Sequence, residues 1–518
     1  MADLKVISRT STHQYKNSPQ NLPEIGKQLA VATVLEGTVQ RVADQVRVNV
    51  QLIKAASEDH LWSHSYNNRI TDVFALESEI AQKIAQSLQA KLSAPELERL
   101  AIKPTTIPEA YDAYLRGLAA ESSNLYSAGN LADAIAFYED AVRWDPNFGL
   151  AWGRLSRAEA RMYFSGDDKS VARRSAAQHA LEKALTLEAN APETLLAHAY
   201  FRYWVERDFE AAKAAFTRVR ELMPGNSDVP AALARITRRQ GHWDQSMSYW
   251  EQTVALDPRN REWLTDMAWT FSMLRQFPLA LKTYERALEI APTDADLLAS
   301  VAEVHQAEGN LAEAGKSLAG INASTISSEA FIIKVIELFL ERNHGEAIRL
   351  LQARLLGDPG MEIFERGFDE QLLAHAQQFS GDTSAARGTA EQAQRTLEAE
   401  RTNDPDNPNV AAALSRLYAL LGNAELALSE AMRAAALRPS EKDAVMGPAY
   451  EENLAMVEAA IGNADSAIGR VKRLLELPYN SIRYGNAPLT KHLLKLDPAW
   501  DPLRSDPRFQ QLIAGDQP

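Results

Sequence analysis

The chain contains no cysteine. That removes disulfides, zinc–thiolate sites and thiol nucleophiles together. The same absence suits a reducing cytosol and a periplasm, so the compartment stays open. No run approaches the roughly 18 continuous apolar residues of a membrane-spanning helix. The opening, MADLKVISRTSTHQYKNSPQ, has no apolar core of the signal-peptide kind. The expected location is therefore cytoplasmic as written, and periplasmic if an N-terminal anchor is missing. Positive charge is in deficit: 55 basic against 69 acidic residues give a net charge of −14. Such a balance disfavours nucleic acid or an anionic membrane as a general partner. Apolar residues reach 46%, enough for a packed core rather than a disordered chain. At about 150 residues per domain the length suggests three or four domains, a prior that fails for repeat arrays.

Repeats are present. The segments ERDFEAAKAAFTRVRELMP, QGHWDQSMSYWEQTVALDP and LRQFPLALKTYERALEIAP end at Pro224, Pro258 and Pro292, in steps of 34 residues. Small residues keep the step at Ala212, Ser246, Ala280 and Ala314, and Phe216, Trp250 and Tyr284 follow the first three by four positions. A small residue recurs further at Ala134, Ala177, Ala347, Ala386, Ala427 and Ala467, with turn glycines at Gly129, Gly241, Gly309, Gly381, Gly422 and Gly462. Two helices packed at about 8–10 Å need small side chains where their axes approach. Glycine ends the first helix and proline stops the second. This grammar resembles the tetratricopeptide repeat. The resemblance implies a mostly α protein, a right-handed α-solenoid of nine or ten two-helix units over 111–480. The second unit carries extra residues near MYFSGDDKSVARRSA and should have longer helices. The unit at 328–361 opens on an almost wholly apolar helix, AFIIKVIELFL, whose register is not fixed by pattern.

Residues 1–93 read differently. VATVLEGTVQRV and DQVRVNVQLIK alternate with period two around a short turn, a β-hairpin, and HLWSHSYNN reads as a third strand. LPEIGKQL is a short helix. VFALESEIAQKIAQSLQAKL is amphipathic, with Phe74, Ile80, Ile84 and Leu88 on one face. With EAYDAYLRG at 109–117, these segments resemble the TolB-like amino-terminal domain. That module is found ahead of tetratricopeptide repeats in bacterial membrane-anchored winged-helix regulators, class III adenylate cyclases and some kinases. In the family another strand and helix precede the LKVISRTS segment. Here Met1 stands almost directly on it, leaving a smaller domain, a cut chain, or a strand supplied by another molecule. An unpaired edge at residues 4–11 would be a pairing liability. No cyclase or winged-helix half is visible, so those activities are not carried over. The expected organisation is a small α/β domain (1–93), a linker (94–110), the repeats (111–480) and a C-terminal cap (481–518). Trp500, Leu503, Phe509 and Leu512 of that cap would cover the open end of the last repeat.

Catalytic grammar is thin. GNLAEAGKS at 309–317 has five residues between its glycines where a phosphate loop needs four, and it follows a helix. His60, Trp62 and His64 share a strand face without a third metal ligand nearby. NDPDNPN at 403–409 lacks calcium-loop spacing. No enzyme activity, cofactor or metal is expected. In tetratricopeptide arrays the concave wall is lined by the first helix of each unit. Wall positions here hold Arg154, Arg157, Arg161, His198, Phe201, Trp204, Arg235, Arg238, Arg239, Trp269 and Glu303. Arginines and large aromatics on one surface suit a protein or peptide partner, acidic or carboxylate-ended. The expected function is a non-catalytic interaction scaffold or sensor of a bacterial signalling system. Two alternatives stand beside it: a regulatory half of a cyclase or transcription regulator, and a small-molecule binder or enzyme with a pocket near 330–340.

Overall fold

The computed structural model describes residues 6–16, 21–43, 45–69, 73–88, 103–123, 128–165 and 169–514. Residues 89–102, the end of the expected α/β domain and the first part of the expected linker, lie outside them. The described residues fold as one small sheet followed by twenty helices in ten antiparallel pairs, then a C-terminal segment. They divide into two compact units: Met1–Ile236 with Ser248–Asn260, and Thr237–Met247 with Arg261–Pro518.

The first unit begins with α1 (Arg9–His13) and α2 (Leu22–Leu29), then β1 (Thr33–Val42), β2 (Gln45–Lys54), β3 (His60–Arg69) and α3 (Val73–Ser87). The strands are antiparallel in the order β1-β2-β3. Trp62 stands opposite Leu52, and a register shift at Leu52/Ile53 then sets His60 opposite Ile53. Val50, Tyr66 and Leu76 form the core, joined by Val48, Trp62 and Ile80, so α3 covers the β2–β3 side. Leu35 and Val39 of β1 stay exposed. The expected open strand at 4–11 gives way to a helix: Arg9–His13 is helical, and Ser8 caps it. Ser11 explains the difference. Its hydroxyl donates to Asp257 and accepts from Arg259 N at 2.9 Å, so a short helix docks where a strand edge was expected. The outer edge of β1 pairs with no other strand among the described residues.

The repeat grammar holds in detail. All ten small residues, from Ala134 to Ala467, are fully buried, as are Phe216, Trp250 and Tyr284. Gly117 shows why no Cβ is tolerated at one such crossing: it would lie 2.4 Å from the Tyr138 ring. The second helical pair is long as expected, with 17 residues in Gly149–Ser165 and 18 in Val171–Glu188. Gly129 departs from its expected place, falling inside the helix Ala128–Trp144 rather than in the turn before it.

The inter-helix turns carry a second regularity. Gly241, Gly309, Gly381, Gly422 and Gly462 take positive φ, and so do Arg207, Arg275 and Arg342. Positions 207, 241, 275 and 309 are 34 residues apart. Arginine therefore stands in a left-handed site usually left to glycine, at a cost of roughly 1–2 kcal/mol.

In the second unit the C-terminal segment does more than cap the last pair. It runs back along these turns. A Cβ at Gly309 would meet His492, while one at Gly241 would touch Ala444, in the loop ahead of the helix Gly447–Ala460, at 3.4 Å. Arg275 donates to the carbonyls of Leu474, Leu477 and Leu489 at 2.9–3.1 Å. Arg342 forks onto Asp501 at 2.5 and 2.7 Å. Trp500, Leu503 and Phe509 join one core cluster with Phe331, Val335 and Phe339, and Leu512 packs against it. This explains AFIIKVIELFL. The helix Ser328–Leu340 is apolar nearly all round because repeats and the returning segment both pack against it.

Candidate partner-binding surface

In the first unit the wall positions lie on three successive first helices: Gly149–Ser165, Pro192–Phe201 and Asp228–Arg239, the last as far as Ile236. Arg157 pairs with Asp228 at 2.5 Å and stands 4.5 Å over the Tyr200 ring. Arg154 reaches Glu121 at 3.3 Å. Arg161 lies 6.0 Å over Trp204, and Arg235 6.0 Å over Trp250. His198 accepts from Arg202 at 3.2 Å; burial lowers its pKa, with Arg202 adding to the shift. Burial alone would raise Asp228, yet Arg157, Arg154 and Arg235 together hold it below the ordinary carboxylate range. Arg157 is the direct partner of that carboxylate, and the fields of Arg154 and Arg235 add to its shift.

Phe201 and Trp204 are buried rather than displayed. Tyr200 and Trp204 lie 4.1 Å apart, and Trp204 sits in a π-helical turn, Arg202–Glu206, that ends this first helix. These two aromatics fill the layers between pairs. A π turn has no simple sequence signature, and spacing alone does not reveal which way Trp204 faces.

In the second unit the wall residues meet the chain itself. Arg238 is buried, donating to Thr270 at 2.8 Å and to Asp266 at 3.3–3.4 Å. Arg239 pairs with Asp443 at 2.6 Å. Trp269 donates to Ser300 at 3.3 Å. Glu303 is buried and accepts from the backbone and side-chain nitrogens of Asn486 at 3.1 and 3.2 Å. Burial raises Glu303 well above the usual carboxylate range. Thr490 donates to the Ala307 carbonyl at 2.7 Å. Arg239 and Glu303 are therefore already engaged by a distant stretch, residues 443–490, while Arg238 and Trp269 bond to the next first helix along. Sequence reasoning missed this occupant because its contacts span about 160–215 residues and carry no period.

His60, Trp62 and His64 follow one another on β3, with 6.5 Å between the Trp62 and His64 rings. No group of three or more potential metal ligands occurs among the described residues. No helix among them is long and apolar enough to cross a membrane.

Comparison with known proteins agrees with the repeat architecture. Two tetratricopeptide-repeat family models match, at residues 117–148 and 231–262. A Rhizobium meliloti (strain 1021) protein, designated provisionally adenylate cyclase 3, is 32% identical over 156 residues. That match spans 30% of this chain and 26% of the relative, so the chain covers about a quarter of the curated protein's length. Among solved structures, PilW, described as a type IV pilus biogenesis factor, aligns over 43% of this chain and 96% of its own. Its identity is 18% and the TM-score 0.34. A tetratricopeptide repeat protein from Parabacteroides merdae ATCC 43184 aligns over 51% and 98%, at 16% identity and a TM-score of 0.37. The chain is mostly helical, built of tetratricopeptide-type helical pairs behind a small three-stranded sheet.

Proposed function

We propose that this chain is a non-catalytic protein-interaction scaffold that captures an acidic or carboxylate-ended peptide on the arginine-bearing wall of its first unit. The observation that carries the proposal is the Arg157–Asp228 pair at 2.5 Å, with Arg154 and Arg235 adding their fields to hold Asp228 low. An incoming carboxylate would share these cations, and guanidiniums grip carboxylates bidentately. Arg161 and His198 extend the same wall, both half-buried. Arg238, Arg239, Trp269 and Glu303 of the second unit already bond within that unit, so the binding surface is assigned to the first. Residues 1–93 are read as a TolB-like domain, whose three strands and flanking helices suit a signalling module that delivers the repeats to their site of action.

The test is fluorescence polarisation with labelled peptides that end in a free carboxylate or an amide. Arg161→Ala with Arg235→Ala should weaken capture of the free-acid peptide at least tenfold, leaving the melting temperature within a few degrees. Equal affinity for acid and amide peptides, in the parent and the double variant, would remove the groove assignment.

A second reading rests on the cyclase match. The chain would then be a regulatory region acting on a nucleotide cyclase, in trans or within a longer chain. Co-expression with a class III cyclase domain, with cyclic AMP as the readout, separates the two: a change in cyclase rate favours regulation.

A further inference from the structure

In the second unit three successive first helices, Ile363–Ser380, Pro408–Leu420 and Gly447–Ala460, face the returning C-terminal segment across a partly enclosed cavity of about 470 Å³. That size falls within the range of small-molecule sites, about 300–1,000 Å³. Phe379, Leu420, Met456 and Val457 line the helical side, and Pro498 and Pro502 line the opposite side. The polar groups are few: Arg342, His375, Gln378, Arg416, Arg483 and Asp501.

Most of that charge is cancelled locally. Arg342 forks onto Asp501, and Arg504 also binds Asp501. Arg483 forks onto Asp497, with one contact at 2.9 Å. His375 donates Nδ1–H to the Gln371 carbonyl at 2.8 Å, a bond that assigns this tautomer. Burial pushes His375 down to about 4, so it is neutral near pH 7.

Arg416 is the exception. Its Nη1 donates to Asn453 Oδ1 at 2.7 Å and its Nη2 to Gln371 Oε1 at 3.2 Å. The guanidinium lies 5.9 Å from the centre of the Phe368 ring. Both hydrogen-bond partners are neutral amides, and Arg416 makes no ion pair among the described residues. Burial, reinforced by the field of Arg483, brings its pKa down to about 9; Glu452 opposes the shift. Glu452 is itself pushed up to about 7 by burial and is bonded to Ser481 at 2.8 Å. A cation beside a cavity whose hydrogen-bond partners are both neutral amides is costly, and an arriving anion would offset that cost.

We propose that this cavity binds a small amphipathic carboxylate, its anionic head on Arg416 and its apolar body against Phe379, Leu420 and Met456. Such a ligand would sit between the inner helices and the C-terminal segment, and would tighten their contact. The chain would thereby sense a small organic acid, a property separate from peptide capture in the first unit.

The experiment is isothermal titration calorimetry of the full chain with octanoate, 4-phenylbutyrate and octylamine. At least one of the two acids should bind and octylamine should not. Arg416→Met should weaken the bound acid at least tenfold. Met456→Trp should abolish its binding by filling the cavity while keeping Arg416, so the outcome does not depend on one variant folding. The proposal is overturned if neither acid binds at millimolar concentration, if octylamine binds as well as the acids, or if both variants bind like the parent.

Discussion

At the residue scale the fold rests on ten small side chains. Each is fully buried at a crossing of paired helices, and the 34-residue step makes them legible in the sequence alone. Ala280→Leu should therefore overpack its crossing at a cost of about 1–3 kcal/mol, read as a lower urea midpoint. A midpoint unchanged within error would mean the crossing has slack. The three turn arginines are less legible. Arg275 and Arg342 break the glycine rule at positions where the pattern asks for glycine, which is a visible signal. What they reach is not visible, since Leu489 and Asp501 lie far along the chain. Arg275→Gly would relieve the left-handed backbone yet lose three charge-assisted bonds. The net effect should be destabilising, because each hydrogen bond to a charged group contributes about 1.5–3 kcal/mol against about 1–2 kcal/mol recovered from the backbone. Hydrogen exchange should then quicken across 474–490 and leave the first unit unchanged.

At the scale of elements, pattern reading succeeds wherever contacts are local. The helix Leu22–Leu29, the β-hairpin and the third strand fall where alternation and punctuation put them. It fails where a distant segment decides the outcome. Residues 9–13 form a helix because Ser11 anchors on Asp257. The wholly apolar helix Ser328–Leu340 has no readable face because two layers cover it. The wall residues fall on the expected helices, but their partners, Asp228 in one unit and Asp266, Asp443 and Asn486 in the other, cannot be read from spacing. Trp500 is the buried anchor of that segment, and its indole donates to Tyr484 at 3.1 Å. Trp500→Ala should cost about 3–5 kcal/mol, with faster exchange concentrated in 489–509. Exchange that quickens equally in all helical pairs would argue against a separately docked segment.

At the scale of the whole molecule, buried carboxyls set the pH response. Burial pushes Glu337, Asp369 and Glu452 up to about 7, and Glu303 is raised as well. Free glutamates titrate near 4.5. Between those values the folded chain holds more protons than the unfolded one, so stability falls as pH rises and levels off above about 7. His375, held near 4, acts oppositely below its free value of 6.5, as do His198 and His344, which burial also lowers: three histidines against four carboxyls. The urea midpoint should be lower at pH 8 than at pH 5.5, by a free energy on the order of several kcal/mol. A higher midpoint at pH 8 would mean these carboxyls are ionised in the folded state.

The central claim is that the C-terminal segment straps the second unit by running back along its inter-helix turns. The chain's lack of cysteine gives a clean test. An ideal Cβ at Gly309 lies 3.2 Å from the His492 Cβ, close to the spacing a disulfide needs. The double variant Gly309→Cys, His492→Cys should oxidise completely in the native state and leave no thiol to alkylate. Two free thiols, alkylated as readily in buffer as in urea, would contradict the strap and the account built on it.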